Sequence, residues 1–200
     1  MLYSSTIYHQ PSATMDSTGN ALAAFVDFTV FPASQLYSAR YVAGSGWEAV
    51  ELVNDLDVPR EPAIAMDDVG NAFVAWRHAT VSGTGVSGSR FVPGTGWEER
   101  VLLKDSPGGS PDPLPAHLDG LGGIVAHWAT DSAAEGVRLE LARYVPTVGW
   151  QPPESFDFIG ADGIVRDLAL ALQASGAAVV TWSERESAGD QLYAHRFGSE

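Results

Sequence analysis

The chain has 200 residues, a formal net charge of −14 and no cysteine. Eleven Lys and Arg side chains in all argue against nucleic acid or an anionic membrane surface as partner, because both require clustered basic groups, and the lack of Cys removes disulfide frameworks, thiolate zinc sites and Cys nucleophiles. No apolar run approaches the roughly 20 residues of a membrane span, and Met1-Leu2-Tyr3-Ser4 has neither the basic start nor the apolar centre of a signal peptide.

In chain order, the first unit opens on the small-polar hairpin Met15-Asp16-Ser17-Thr18-Gly19-Asn20, runs through apolar residues to Phe25, and continues to Arg40-Tyr41 and Gly46-Trp47. The second repeats the phrase with Met66-Asp67-Asp68-Val69-Gly70-Asn71, Trp76, Arg90-Phe91 and Gly96-Trp97. The third has Leu118-Asp119-Gly120-Leu121-Gly122-Gly123, Trp128, Arg143-Tyr144 and Gly149-Trp150. The fourth has Leu172-Gln173-Ala174-Ser175-Gly176-Ala177, Trp182 and Arg196-Phe197, and no Gly-Trp follows. The hairpin glycines stand 51, 52 and 54 residues apart (19 to 70, 70 to 122, 122 to 176). A period near fifty built from short β runs predicts an all-β fold of four-stranded propeller blades.

The second unit shows how the repeat becomes a blade. Pro62-Ala63-Ile64-Ala65-Met66 is a short inner strand, and the hairpin glycine supplies the positive φ of the turn while Asp hydrogen-bonds its backbone. Ala72-Phe73-Val74-Ala75-Trp76 is apolar on both faces, as a strand sandwiched between neighbouring blades must be. Gly85–Phe91 is the third strand, Pro93-Gly94-Thr95-Gly96 turns, and Trp97–Leu102 forms the outer strand. The fourth unit ends before its outer strand, while Leu2–Tyr8 stands unassigned ahead of the first. A four-bladed ring closed by the N-terminal strand, which completes the last blade, accounts for both and leaves no open sheet edge. The expected organisation is a single domain, residues 1–200, with repeats at about 11–58, 59–110, 111–163 and 164–200 plus 1–10. A second arrangement stays open, in which two chains join into an eight-bladed ring, so the molecule is expected as monomer or homodimer.

The Asp-x-x-Gly-Asn hairpin before an apolar strand resembles that of NHL-type and related bacterial surface propellers, and the Gly-Trp opening the outer strand is similar to the pattern of some bacterial propeller lectins. The likeness runs along the whole chain at the level of repeat shape. Sialidases carry an Asp box with Asp and Gly two apart; here Asp67 and Gly70 are three apart, and the box's Ser or Thr is not in place. For the lectin-like families the resemblance implies non-catalytic recognition, often of sugars, at sites repeated around the ring.

A residue repeated in every unit usually solves a structural problem every unit has. Arg40, Arg90, Arg143 and Arg196 are expected to satisfy backbone carbonyls or to pair with the hairpin aspartates Asp16, Asp67 and Asp119; anion binding is the alternative. Phe25, Trp76, Trp128 and Trp182 are expected to pack between blades, with sugar stacking open if the strand end is partly exposed. Function belongs where the repeats disagree. After the second strand these positions are Asp27 in the first unit, Arg77 and His78 in the second, Thr130 and Asp131 in the third, and Glu184, Arg185 and Glu186 in the fourth. The chain enters the inner strands at His9-Gln10, Arg60-Glu61, Asp112 and Arg166-Asp167, on the same face. Asp27, Arg77, His78, Asp131, Glu184 and Glu186 are therefore the candidate ligand-binding residues. Glu61, Asp112 and Asp167, converging on the channel mouth, are the candidates for a weak calcium-type site.

Catalytic signatures are thin. His127 occupies a column held elsewhere by Ala24, Ala75 and Thr181, which suits a core histidine better than a general base. No nucleophile elbow, His-Glu-x-x-His, phosphate loop or dinucleotide fingerprint occurs. The expected function is a non-enzymatic, lectin-like module recognising glycan or another surface polymer, extracellular or at the cell surface. The alternatives are a propeller hydrolase or lactonase using the acidic mouth, and a protein-interaction scaffold.

Overall fold

The computed structural model describes residues 10–29, 34–107, 109–118, 122–132, 136–157, 164–172, 178–186 and 189–197. Among them there is no helix, and the strands form four antiparallel sheets. The first holds β1 (Ser12–Met15), β2 (Ala21–Asp27), β3 (Gln35–Val42), β4 (Gly46–Trp47) and β5 (Glu51–Asn54). The second holds β6 (Arg60–Met66), β7 (Ala72–Ala79), β8 (Gly83–Val92), β9 (Gly96–Trp97) and β10 (Val101–Pro107). The third holds β11 (Gly109–Leu118), β12 (Ile124–Ser132), β13 (Gly136–Val145), β14 (Gly149–Trp150) and β15 (Glu154–Asp157). In the fourth, β16 (Ile164–Leu172), β17 (Ala178–Glu186) and β18 (Gly189–Phe197) pair in sequence order. One outer strand over Trp97–Leu102 was too simple an expectation: the edge is divided, with β9 and β10 both pairing with β8 and Glu98-Glu99-Arg100 between them outside either strand, tied to β8 by the Glu98 amide, which donates to the Arg90 carbonyl at 2.8 Å. The closing strand expected from residues 1–8 lies outside the described residues.

The hairpin aspartates are used locally. Asp16 Oδ1 accepts from the Thr18 and Asn20 backbone amides and the Thr18 hydroxyl, and its Oδ2 accepts from Asn20 Nδ2. Asp67 repeats this with Val69 and Asn71. The hydrogen bond from the Asn20 side chain is the largest effect on the Asp16 carboxyl; with those from Thr18 and the turn backbone it outweighs an opposing desolvation, second in size, and holds the group down at about 2. The glycine between has φ +89° at Gly19 and +87° at Gly70, which a residue with a Cβ rarely adopts. Asp-x-x-Gly-Asn is thus a self-satisfied turn, and the recurring arginines pair elsewhere. Arg40 lies 3.4 Å from Glu48, Arg90 lies 3.6 Å from Glu98 and Arg143 lies 3.9 Å from Glu154, each within its own sheet.

Sheets stack face to face: β1 and β2 pack against β6, and β11 packs against β6, β7 and β8. Strand β7 is apolar on both sides because both sides are covered. Ala72, Val74 and Trp76 join Leu22, Ala24, Val26 and Leu36 of the first sheet in one core. Phe73 and Ala75 join Ala116, Ile124, Ala126 and Trp128 of the third in another. The Gly-Trp aromatics belong to the same scheme. In the second and third sheets each meets the aromatic after the recurring Arg edge-on, Trp97 with Phe91 at 5.4 Å and Trp150 with Tyr144 at 5.5 Å, and packs against the core shared with the preceding sheet. Trp150 reaches Phe73 at 5.3 Å, and Trp97 Nε1 donates to Ser38 Oγ at 2.8 Å.

Phe73 fits only because Gly88 stands beneath it; a Cβ there would lie 2.1 Å from the Phe73 ring. Gly88→Ala is expected to destabilise the fold by about 1–3 kcal/mol through overpacking. The combination with Phe73→Leu should recover part of that loss, measured as a double-mutant cycle in urea.

Candidate functional site

Strand register places all the diverging positions at one end of the sheets, where the inner strands begin. Asp27 closes β2 opposite Gln35, Arg77 lies opposite Arg60, Asp131 opposite Ser110, and Glu184 opposite Val165, with Glu186 opposite Gly189. Glu61 falls in the irregularity of β6 between Arg60 and Ala63, with φ +52°, and Asp167 falls in the matching irregularity of β16 between Arg166 and Ala169. Asp112 stands within the ladder opposite Ala129. The side chains of Asp112, Asp131, Asp167, Glu184 and Glu186 lie outside the described set. Among the described residues no three His, Asp or Glu side chains converge as metal ligands would.

Those that are described have partners. Glu61 Oε1 receives Arg77 Nη2 at 2.6 Å, and its amide donates to Gln10 Oε1 at 2.8 Å. The Arg60 guanidinium lies over the Phe28 ring at 5.4 Å, a cation–π contact across the junction of the first two sheets. Asp27 is buried and accepts from the Thr29 amide and hydroxyl. A non-glycine held at positive φ beside a short ion pair is the kind of local strain that the surrounding structure must over-determine.

His78 leads inward to a network that the sequence reading missed. Its Nδ1 lies 3.1 Å from the Ala79 carbonyl and 3.4 Å from Asp57 Oδ2, which puts the proton on Nδ1 and leaves Nε2 to accept from Ser87 Oγ at 2.9 Å. Asp57 also accepts from Asn54 Nδ2, Trp76 Nε1 and Arg100 Nη1, at 2.7, 3.3 and 2.8 Å. The contacts run Ser, His, Asp in the order of a hydrolytic triad. Ser87 is nevertheless fully buried in the centre of β8, and Arg100 Nη1 also reaches its Oγ at 3.2 Å. The network therefore acts as a polar bolt between the first and second sheets, satisfying the indole of a wholly buried tryptophan. In the third sheet Glu140 does the same work, accepting from Trp128 Nε1, Thr130 Oγ1 and Lys104 Nζ at 3.0, 2.6 and 2.6 Å. Burial pushes the Glu140 carboxyl up, but those three hydrogen bonds and the Lys104 charge outweigh it and hold it below its ordinary value. Trp76 and Trp128 are both 0% exposed. The aromatic column is packing, with no face left for a sugar.

Among the described residues the first junction leaves a cleft open. Between the first and second sheets a shallow cleft is lined by Leu22, Ser38, Arg40, Glu48, Glu51 and Phe91. Arg40 and Glu48 in it are part-exposed, a pair held at 3.4 Å. At the next junction the corresponding space is filled. Phe73 replaces Leu22, Gly88 replaces Ser38 beneath its ring, and Arg90 packs on Tyr144 at 4.2 Å. The open cleft thus gathers a guanidinium, two carboxylates, a hydroxyl and an aromatic ring.

No protein-family model and no curated protein sequence matches the chain. Solved structures do. A Hadza microbial sialidase is 11% identical at a TM-score of 0.58, over 94% of this chain and 44% of that one. The alpha-L-arabinanase of Penicillium chrysogenum, solved with arabinobiose, is 12% identical at 0.60, over 94% and 62%. The endo-arabinase of Bacteroides thetaiotaomicron is 10% identical at 0.54, over 95% and 75%. At such identities the likeness shows the fold, which is β-propeller-like and of the sialidase and arabinanase type; the NHL-type resemblance in particular gains no support. The chain spans less than two thirds of the sialidase and of the Penicillium enzyme.

Proposed function

We propose that the four sheets are four blades of one propeller domain and that the chain is a non-enzymatic, glycan-recognising module. The observation that carries this reading is the open cleft of Leu22, Ser38, Arg40, Glu48, Glu51 and Phe91. A sugar presents neighbouring hydroxyls that both donate and accept, and an apolar C–H face. Arg40 supplies donors and Glu48 and Glu51 acceptors, above a buried floor of Leu22, Ser38 and Phe91. The Arg40–Glu48 pair is exposed enough to be worth little to folding, so a ligand can replace it at small cost. A sialidase, an endo-arabinase and an alpha-L-arabinanase stand among the proteins of similar fold, which supports carbohydrate as the ligand class.

Arg40→Ala is expected to leave thermal stability within about 0.5 kcal/mol of the parent and to weaken binding of neutral oligosaccharides about tenfold or more. A glycan array followed by calorimetry measures both. A parent that binds no glycan, or an Arg40→Ala variant that binds as the parent does, overturns the reading.

A second reading, a hydrolase working at the acidic end, draws support from Glu61, held at φ +52° against Arg77. The calcium site at Glu61, Asp112 and Asp167 belongs to that reading. Arg77, 2.6 Å from Glu61, already supplies one cation there. Release of reducing sugar from a bound polysaccharide is the result that favours the hydrolase over the binding module.

A further inference from the structure

Two faces of the stack lack the cover that the equivalent described faces have. On the side that each sheet turns toward the preceding one, the second sheet buries Met66 and Trp97 against a shared core, and the third buries Leu118 and Trp150. The residues at the same repeat positions of the first sheet, Met15 and Trp47, are 66% and 50% exposed. On the opposite side, Leu36, Val86 and Leu139 are each 0% exposed in the first three sheets, whereas Leu192, at their place in the fourth, is 81% exposed and Val179, further along the same sheet, 41%. The uncovered faces are not alike. One carries the Gly-Trp aromatic that elsewhere tucks under a neighbour, and the other carries the aliphatic residues that elsewhere receive it.

We propose that these faces are the two halves of one further inter-sheet junction, and that a second copy of this chain completes it. The first sheet of each copy would pack against the fourth sheet of the other, giving two such junctions and a closed ring of eight sheets. Two observations favour a second copy over an unrelated partner. The complementary half of each face is carried by the chain itself, in the register seen between the first and second and between the second and third sheets. Trp47 already meets Tyr41 edge-on at 5.4 Å, the arrangement that Trp97 and Trp150 use when packed, so little ordering remains to be done on docking. Because the joined faces are different surfaces, the contact is heterologous, and it must close on itself or grow into a filament.

Sedimentation equilibrium of the 200-residue chain tests this. The expected mass is twice the 21.2 kDa of one chain. Trp47→Glu and Leu192→Glu alter only exposed side chains, so each should keep the parent's circular dichroism while raising the dimer dissociation constant at least about thirtyfold, as expected for a central interface residue. Mixing the two variants is the decisive step. A heterodimer of Trp47→Glu with Leu192→Glu regains one junction with both faces intact, so the mixture should dimerise more tightly than either variant alone. A parent that stays monomeric, an open-ended series of higher masses, or a mixture no tighter than its components overturns the proposal. The first of these results would leave the glycan-binding reading standing, since the Arg40 cleft lies within one copy.

Discussion

Replacing Trp76 with alanine is expected to lower the free energy of unfolding by about 3–5 kcal/mol, the range for removing a large aromatic from a packed core. The indole is wholly enclosed between the first and second sheets, among Leu22, Ala24, Val26, Leu36 and Ile64. Its Nε1 also donates to Asp57 Oδ1 at 3.3 Å. The two contributions can be separated. Trp76→Phe keeps most of the apolar volume and removes the donor, while Asn54 and Arg100 still hold Asp57; that variant should lose about 1–2 kcal/mol. Trp47→Ala, at an exposed position of a different column, should cost a monomer under 0.5 kcal/mol or so. Chemical denaturation monitored by far-UV circular dichroism orders the three variants. A Trp76→Ala protein that loses less than about 1 kcal/mol contradicts the packing assignment of the whole column.

The sheet-forming logic was legible because it is periodic. A glycine recurring near fifty residues, with an aromatic six positions later, marks a turn and the strand it feeds, and strand β7 is two-faced in sequence and in structure alike. Which side chains pair with one another was not legible. Arg40, Arg90 and Arg143 were expected to satisfy backbone carbonyls or to meet the hairpin aspartates; an Asp followed by Gly and Asn satisfies its own turn, and the arginines reach the glutamates near the Gly-Trp step. Asp57 sits in a connection rather than in a repeat motif, and only the fold brings it to Trp76, His78 and Arg100. Glu140 did leave a trace: a carboxylate between Leu139 and Leu141 in an apolar strand requires partners, and Trp128, Thr130 and Lys104 supply them. The open cleft was invisible because Leu22 and Ser38 differ from Phe73 and Gly88 only in volume, and volume counts only once two sheets face each other.

Stability is expected to fall as pH drops from 6.5 toward 4.5, with His127 as the main cause. In the column where other units place Ala24, Ala75 and Thr181, the third carries an imidazole that is 3% exposed, stacked on His117 at 5.7 Å, with no hydrogen-bond partner for its Nδ1 among the described residues. Burial first, and the neighbouring His117 second, push the His127 pKa from 6.5 down to about 3. Desolvation lowers His117 as well. The direction follows from proton counting. Between the folded and unfolded pKa values the unfolded chain holds a proton that the folded chain refuses, so unfolding takes up protons and acid favours it. Each pH unit below 6.5 should therefore remove about 1.4 kcal/mol, or roughly 2–3 kcal/mol by pH 4.5. Glu140 acts in a different window. Its lowered pKa gives stability that is present above its ordinary value of 4.5 and is lost only as pH falls below that, so the slope between pH 6 and 5 reports the two histidines, His127 foremost. His127→Thr, which installs the residue used at Thr181, should flatten that slope whatever it does to stability at pH 7.5. Urea denaturation at half-unit steps from pH 7.5 to 4.5 gives both curves. Parallel curves would mean that His127 takes up its proton in the folded state, through an opening of the β11–β12 pair that relieves its burial.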